Sequence, residues 1–248
     1  MNLKILGSVS PFCYKDSNGV VFLLTSENEN ILIDCGSGIC KLLDIPNVFE
    51  NLTIFISHLH RDHFCELLSL SYASYIYFKN AILKNKIKVY IPNENEDLLV
   101  TQYIKDLEDD SYFEFIRYDE NTMLNIGNVN ISFKESVHGM KTYHMKFEKN
   151  GKTIVYSADT GYADNKLEDF SRNANLLICE STYLKNQVKP KDVHLNTVEA
   201  SFIARDATVE KLMLCHFWPT IDKNLYLEEA KENFVNTVCA VENSEYNF

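Results

Sequence analysis

No stretch of this chain approaches the ~18 consecutive apolar residues that a membrane-spanning helix requires. The opening Met1-Asn2-Leu3-Lys4-Ile5-Leu6-Gly7 is interrupted too soon for a secretory leader. The expectation is a cytoplasmic protein with no membrane partner. A disulfide framework is missing too: the seven cysteines are scattered, odd in number and contain no Cys-x-x-Cys pair, which fits free thiols in a reducing compartment. Basic residues are in deficit, 24 Lys and Arg against 35 Asp and Glu, for a net charge of −11. That balance disfavours a broad face for extended nucleic acid. There is no short-period repeat, low-complexity tract or linker. A chain of 248 residues, 46% hydrophobic, suffices for one substantial core, so residues 1–248 are expected to form a single domain.

What the chain does have is a dense cluster of metal-ligand side chains. Ser57-His58-Leu59-His60-Arg61-Asp62-His63-Phe64 carries four of them within six residues. The cluster follows an apolar run, Leu52-Thr53-Ile54-Phe55-Ile56, that reads as a buried strand. Imidazole and carboxylate together suit zinc and neighbouring first-row metals. His58 and His60, two apart, can point the same way. Asp62 and His63, adjacent, diverge and can reach a second position, so one loop can begin two metal sites.

Further along, the event repeats: a strand ends and a ligand-type residue follows. Strand-like runs lead to Val137-His138-Gly139, to Asp159-Thr160-Gly161 and to His216-Phe217-Trp218. Near the start, Leu3 to Leu6, Val20 to Leu24 and Asn30 to Ile33 read as an antiparallel meander that ends at Asp34. Residues 64–83 have helical spacing, and their Tyr72, Tyr75, Tyr77 and Phe78 suit either core packing or a substrate mouth. Strands are expected at 87–91, 113–116 and 129–134, and a helix at 97–107. Asn150-Gly151 between two strands favours a type I′ hairpin. Asn196 and Glu199 are spaced as a capping box that opens a helix. An amphipathic helix is expected over 225–238. His144 fits no motif and reads as structural or exposed. Periodicity by itself gives a mixed α and β protein.

His-x-His-x-Asp-His after a hydrophobic strand resembles the signature of the metallo-β-lactamase fold hydrolases, and the resemblance runs over essentially the whole chain. It implies an α/β (α+β) fold, the four-layer αββα sandwich. It also implies two divalent ions, zinc by default with manganese or iron as alternatives, that share and activate one water. On the family pattern, His58, His60 and His138 hold one ion, Asp62, His63 and His216 the other, and Asp159 bridges them. Asp34 matches the buried aspartate that braces the ligands.

Asp159-Thr160-Gly161, Glu180-Ser181-Thr182, His194-Leu195-Asn196 and His216-Phe217 are most similar to the ribonuclease Z-like phosphodiesterase branch. There the counterpart of His194 protonates the leaving oxygen, and Glu180 is the candidate acid that supports it. Asp62, His194 and Glu180 are therefore the catalytic candidates. Two features depart from ribonuclease Z. Only twenty residues separate His138 from Asp159, too few for the arm that grips transfer RNA, and the loop from Pro11 to Asn18 pairs its one Lys15 with Asp16. A small phosphodiester, cyclic or linear and nucleotide-like, is the expected substrate. The alternatives are a lactone or thioester hydrolase, a transfer RNA 3′ processing ribonuclease and, behind these, a non-catalytic metal-stabilised binding module. Relatives often form homodimers. The aromatic pair Phe217-Trp218 suits either a pocket floor or the core.

Overall fold

The computed structural model describes residues 1–45, 47–94, 102–107, 112–163, 166–189 and 191–248. The first half supplies β1 (Asn2–Gly7), β2 (Val21–Ser26), β3 (Glu29–Ile33), β4 (Leu52–Phe55), α1 (Arg61–Phe64), α2 (Leu67–Lys79), β5 (Ile87–Pro92), helical residues 102–107 (α3) and β6 (Phe113–Tyr118). The second half supplies β7 (Met123–Ile126), β8 (Val129–Glu135), β9 (Tyr143–Lys149), β10 (Lys152–Tyr156), α4 (Lys166–Phe170), β11 (Leu176–Glu180), α5 (Thr197–Asp206), β12 (Leu212–Cys215), α6 (Lys223–Lys231) and β13 (Thr237–Cys239). A last strand, β14 (Glu245–Asn247), returns to pair with β1. Two seven-stranded sheets result, ordered β14-β1-β2-β3-β4-β5-β6 and β13-β12-β11-β10-β9-β8-β7.

The central strands are largely buried on both faces, so their side chains divide between two cores by parity. In β2 and β3, Phe22, Leu24, Ile31 and Ile33 face the second sheet, where Phe133, Met145, Phe147, Tyr156 and Ile178 meet them. Phe22 packs edge-on against Tyr156 at 5.3 Å across the sheets. Val21, Leu23, Leu32 and Ile54 point outward, under Leu67 and Leu70 of α2. On the far side, Leu177, Cys179, Leu212 and Leu214 lie under Ala200, Ile203 and Ala204 of α5 and Tyr226 of α6. The four expected layers, helix, sheet, sheet and helix, are present.

β3 to β6 run parallel, as do β10 to β13. Carboxyl ends of parallel strands are where open α/β sheets bind ligands, and that alignment positions the site. Asn150 and Gly151 close the β9–β10 hairpin with φ of 52° and 72°, as a type I′ turn demands. The Asn196 capping box on α5 is complete.

Some expectations need correction. The last helix ends at Lys231, and Val238 lies in β13 instead, where a β-branched stretch pairs with β12. β7 was not anticipated; Gly127-Asn128, both at positive φ, join it to β8. Residues 97–101 of the expected helix lie outside the described residues, while 102–107 are helical. Tyr77 and Phe78 pack on the outer core, whereas Tyr72 is exposed. The seven cysteines are free. No helix among the described residues is long and apolar enough to cross a membrane.

Candidate metal centre

Three strands end with a residue in the left-handed region: Asp34 after β3, Ala158 after β10 and His216 after β12, at φ of 60°, 51° and 61°. Such a conformation in a non-glycine residue costs on the order of 1–3 kcal/mol and persists only where the surroundings enforce it. Here each sharp exit lies at or beside a candidate residue where its sheet ends. Gly161 is needed for a different reason: a Cβ there would sit 2.0 Å from the Asp192 carbonyl oxygen. Its absence lets the Asp159 loop lie against the segment that leads to His194.

The sequence-predicted ligands converge into two groups. In the first, His60 Nδ1 is 3.0 Å from both His58 Nε2 and His138 Nε2, and Asp159 Oδ2 lies 3.5 and 3.9 Å from those two Nε2 atoms. In the second, Asp62 Oδ2 lies 3.6 Å from His63 Nε2 and 4.0 Å from His216 Nε2, with Asp159 Oδ1 at 3.4 and 3.1 Å from the same nitrogens. One carboxylate thus offers an oxygen to each group.

The outer nitrogens decide what the inner ones carry. His63 Nδ1 donates to the Asp34 carboxylate at 2.8 Å, and His138 Nδ1 donates to the Val193 carbonyl at 2.9 Å. The Ser57 hydroxyl spends its proton on Asp34 Oδ2, so it accepts from His58 Nδ1 at 3.1 Å. The Thr182 hydroxyl spends its proton on Glu180 Oε2 and so accepts from His216 Nδ1 at 2.8 Å. Four Nε2 atoms are thereby left facing the centre. Orientation by such outer partners is the usual support of metal-bound histidine. Asp34 also accepts from the Ser57 amide and the Tyr156 hydroxyl, and Ser10 donates to Asp62 Oδ2 at 2.5 Å.

This arrangement suits a cation. His63 Nε2, His216 Nε2 and Asp159 Oδ1 are buried and make no hydrogen bond. Each such orphan costs about 1–3 kcal/mol, and an ion among them would satisfy all three. His58, His60, His138 and Asp159 offer a three-nitrogen, one-oxygen set, and Asp62, His63 and His216 a second; within each set the ligand atoms lie within 4.8 Å of one another. These His and Asp groups can hold metal ions, and the mixture suits zinc, manganese or iron.

Electrostatics separates the two groups. Burial, with His63 and His138 nearby, holds His58 well below the ordinary imidazole range. Burial and His138 bring His60 to about 4, and burial also lowers His138. Burial opposes charge on His63 as well, but the Asp159 and Asp34 carboxylates outweigh it and raise that imidazole well above its usual range. Asp159 is driven well below the carboxylate range despite burial, because His216, His63 and His58 surround it.

His194 and Glu180 stand beside this centre. Glu180 is fully buried and receives the Thr160 and Thr182 amides, the Thr182 hydroxyl and, at 2.9 Å, His194 Nδ1. Burial alone would lower His194, but Glu180, with Asp159 beyond it, lifts its pKa to about 9. His194 also lies within ligand reach of Asp159 and His216. As a cation whose Nδ1 is committed to Glu180, it is better suited to donating a proton than to binding a metal. Its stacking neighbour is His216, with centroids 5.3 Å apart.

The remaining sequence candidates fall as follows. His144 is buried, not exposed, and its Nδ1 donates to the Ser157 carbonyl at 2.5 Å. Phe217 is core, and Trp218 is 39% exposed. Sequence reasoning missed Ser10, Ser57, Tyr156 and Thr182. Thr182 stands in the same Glu-Ser-Thr run as Glu180, a signal that was available.

A family model described as anti-Pycsar protein Apyc1 matches residues 1–240. The probable metallo-hydrolase YhfI of Bacillus subtilis is 28% identical over 217 residues, which cover 87% of this chain and 86% of that one. The crystal structure of YhfI, a metallo-β-lactamase fold protein, superposes with a TM-score of 0.88 at 25% identity, covering 99% of this chain and 98% of that one. A ribonuclease Z of Archaeoglobus fulgidus is 25% identical, covering 96% and 94%. The fold is that of the metallo-β-lactamases, and the relatives include the ribonuclease Z branch.

Proposed function

Because the chain belongs to the anti-Pycsar protein Apyc1 family, matched over residues 1–240, we propose that it is a metal-dependent hydrolase that cleaves a small phosphodiester. His58, His60 and His138 would hold one divalent ion and Asp62, His63 and His216 a second, with Asp159 between them; zinc is the first candidate for both. When bound, such a pair supplies Lewis acidity and a water of near-neutral pKa. Asp34, Ser57 and Thr182 hold the imidazoles in the tautomer that binding needs. His194 donates a proton to the departing oxygen from its Nε2, and Glu180 keeps the ring oriented and charged.

The observation that carries this reading is the placement of His194, whose Nδ1 lies 2.9 Å from the buried Glu180 carboxylate and 3.9 Å from Asp159, carboxylates that raise its pKa to about 9. An alkoxide leaving group needs a positioned acid, typically for a gain of ~10²–10⁴ in rate. A thiolate or an enolate does not. The ribonuclease Z relative, an RNA-cleaving enzyme by its name, favours the same bond type. The net charge of −11 and the tight Asn150-Gly151 hairpin favour a small, nucleotide-like substrate, cyclic or linear, over an extended RNA.

The test is metal analysis of the native protein followed by a substrate panel on the same sample. Bis-p-nitrophenyl phosphate and cyclic nucleotides should turn over, and His58→Ala should abolish this. Turnover of lactones or thioesters with no phosphodiester cleaved would replace the reading with a carboxylic-ester one. Metal-dependent stability with no turnover would leave only a binding module.

A further inference from the structure

Asp62 and His216 reach the centre from opposite halves of the chain, and one small ribbon touches the anchorage of both. Val9 forms parallel bridges with Gly19 and Phe217. The Ser10 amide donates to the Phe217 carbonyl at 3.0 Å, and the Phe217 amide to the Ser8 carbonyl at 3.0 Å. Phe217 follows His216 directly, and the Ser10 hydroxyl donates to Asp62 Oδ2. Among the described residues, Ser10 is the hydrogen-bond partner of that carboxylate. The three-histidine group is braced elsewhere, by Ser57 and by the Val193 carbonyl.

What fastens the ribbon is a lysine in an unfavourable place. Lys223 opens α6, where the helix dipole disfavours a cation, and it is half-buried, which strips hydration from a charge. Burial lowers its pKa, and Glu242 opposes that. Its Nζ donates to the Ser8 hydroxyl at 2.8 Å and to the Ala240 carbonyl at 3.5 Å. It also lies 5.4 Å from the centre of the Phe217 ring, within cation–π range. One ammonium thus joins the first loop, the exit of β12 and the exit of β13. Glu242 completes the tie. It accepts from the Asn18 amide at 2.8 Å and from Asn18 Nδ2 at 2.9 Å. The Asn18 carbonyl in turn accepts from the Ser8 and Val9 amides at 3.0 and 3.2 Å.

An apolar residue of similar length would fill this place without burying a charge. The ammonium instead fixes Ser8 and Phe217, and through them Ser10 and His216. Partners that stand behind metal ligands set ligand orientation and typically govern affinity ~10–100-fold.

We propose that Lys223 is a positioning residue for the carboxylate-rich ligand group: through Ser8 and Phe217 it holds Asp62 and His216 at the spacing an ion needs, and so sets the affinity for the second ion from outside both ligand groups. This deepens the metal-dependent reading and rests on its two ions.

The test equilibrates the protein with zinc buffers of graded free concentration. Dialysis counts the zinc bound in solution, and crystals held in the same buffers assign it to a position by anomalous peak height. Ser10→Ala should raise the free zinc that half-fills the second position ~10–100-fold. Lys223→Met should raise it about 2- to 30-fold, and by less in the Ser10→Ala background, since both act along one path. The three-histidine position should fill as in the wild type throughout. Ser10→Thr, which keeps the hydroxyl, should keep the second position. Should Lys223→Met not fold, Glu242→Gln takes its place with the same expected direction. Unchanged filling of the second position, or equal losses at both positions, would overturn the positioning role. If the wild type fills both positions in that case, the metal-dependent reading stands without it. A wild type that takes a single ion removes the two-ion reading, and the positioning role with it.

Discussion

The two ligand groups draw on the same two chemistries, imidazole and carboxylate, and both approach Asp159, yet His58, His60 and His138 are lowered as bases while His63 is raised. His58, His60 and His138 face one another at 3.0 Å and are pushed down as bases by burial and by each other. They are neutral at physiological pH, with lone pairs already aimed inward. His63 sits between Asp34, Asp62 and Asp159 and is pushed up. A metal at this imidazole therefore competes with a proton more than it does on the other side. The difference lies in the carboxylates and not in the imidazoles. It teaches that a cation meets little competition from protons on the three-histidine side and more on the carboxylate-rich side; His194 is raised separately, by Glu180 and then by Asp159.

The largest expected effect is that of His194→Ala. If proton donation belongs to His194, which stands outside both ligand groups, the rate on an alkyl phosphodiester should fall ~10²–10⁴-fold. Cleavage of a p-nitrophenyl ester, whose leaving group needs no proton, should fall far less. Equal losses on both substrates would mean that His194 only shapes the site.

Next comes Asp34→Asn, which keeps the shape and removes a charge behind His63. Metal affinity of the carboxylate-rich group should weaken ~10–100-fold, with the three-histidine group much less affected. The proton released on filling the second group should diminish, as read by calorimetry in buffers of different ionisation enthalpy. Uniform weakening of both groups would erase the distinction.

The smallest effect is a displacement of a pH profile. His194 is raised to about 9 chiefly by Glu180, against the lowering effect of burial, so its acid form persists below that pH and is lost as pH rises through it. In Glu180→Gln the carboxylate charge is gone while burial remains. The alkaline limb of the rate profile should move down toward or below the ordinary 6.5, which brings His194 closer to the three-histidine side. An unmoved limb would show that Glu180 does not set this pKa.

The same contrast explains what could be seen from the chain alone. Four ligand-type residues of the first half are packed into one loop, and short-range spacing makes that loop plain. His138, Asp159 and His216 are scattered, and only their place after strand-like runs marks them; the parallel register of β10, β11 and β12 then brings the last two together. The polar residues that orient the ring nitrogens left no such trace. Ser57, Tyr156 and Thr182 act through hydrogen bonds to partners as far as 122 residues away, which no periodicity encodes. Phe217 and Trp218 are adjacent, so composition could not divide them; the bridge to Val9 buries one and leaves the other at the rim. The end of α6 and the edge strand β7 escaped because strand pairing across the sheet, not local propensity, decides those segments.

The most direct measurement is a crystal structure of the native protein with anomalous data collected on either side of the metal edge. The account predicts two peaks ~3.5–4 Å apart, one among His58, His60 and His138 and one among Asp62, His63 and His216, with Asp159 between them. A fully loaded crystal with a single peak, or with peaks away from Asp159, would contradict it.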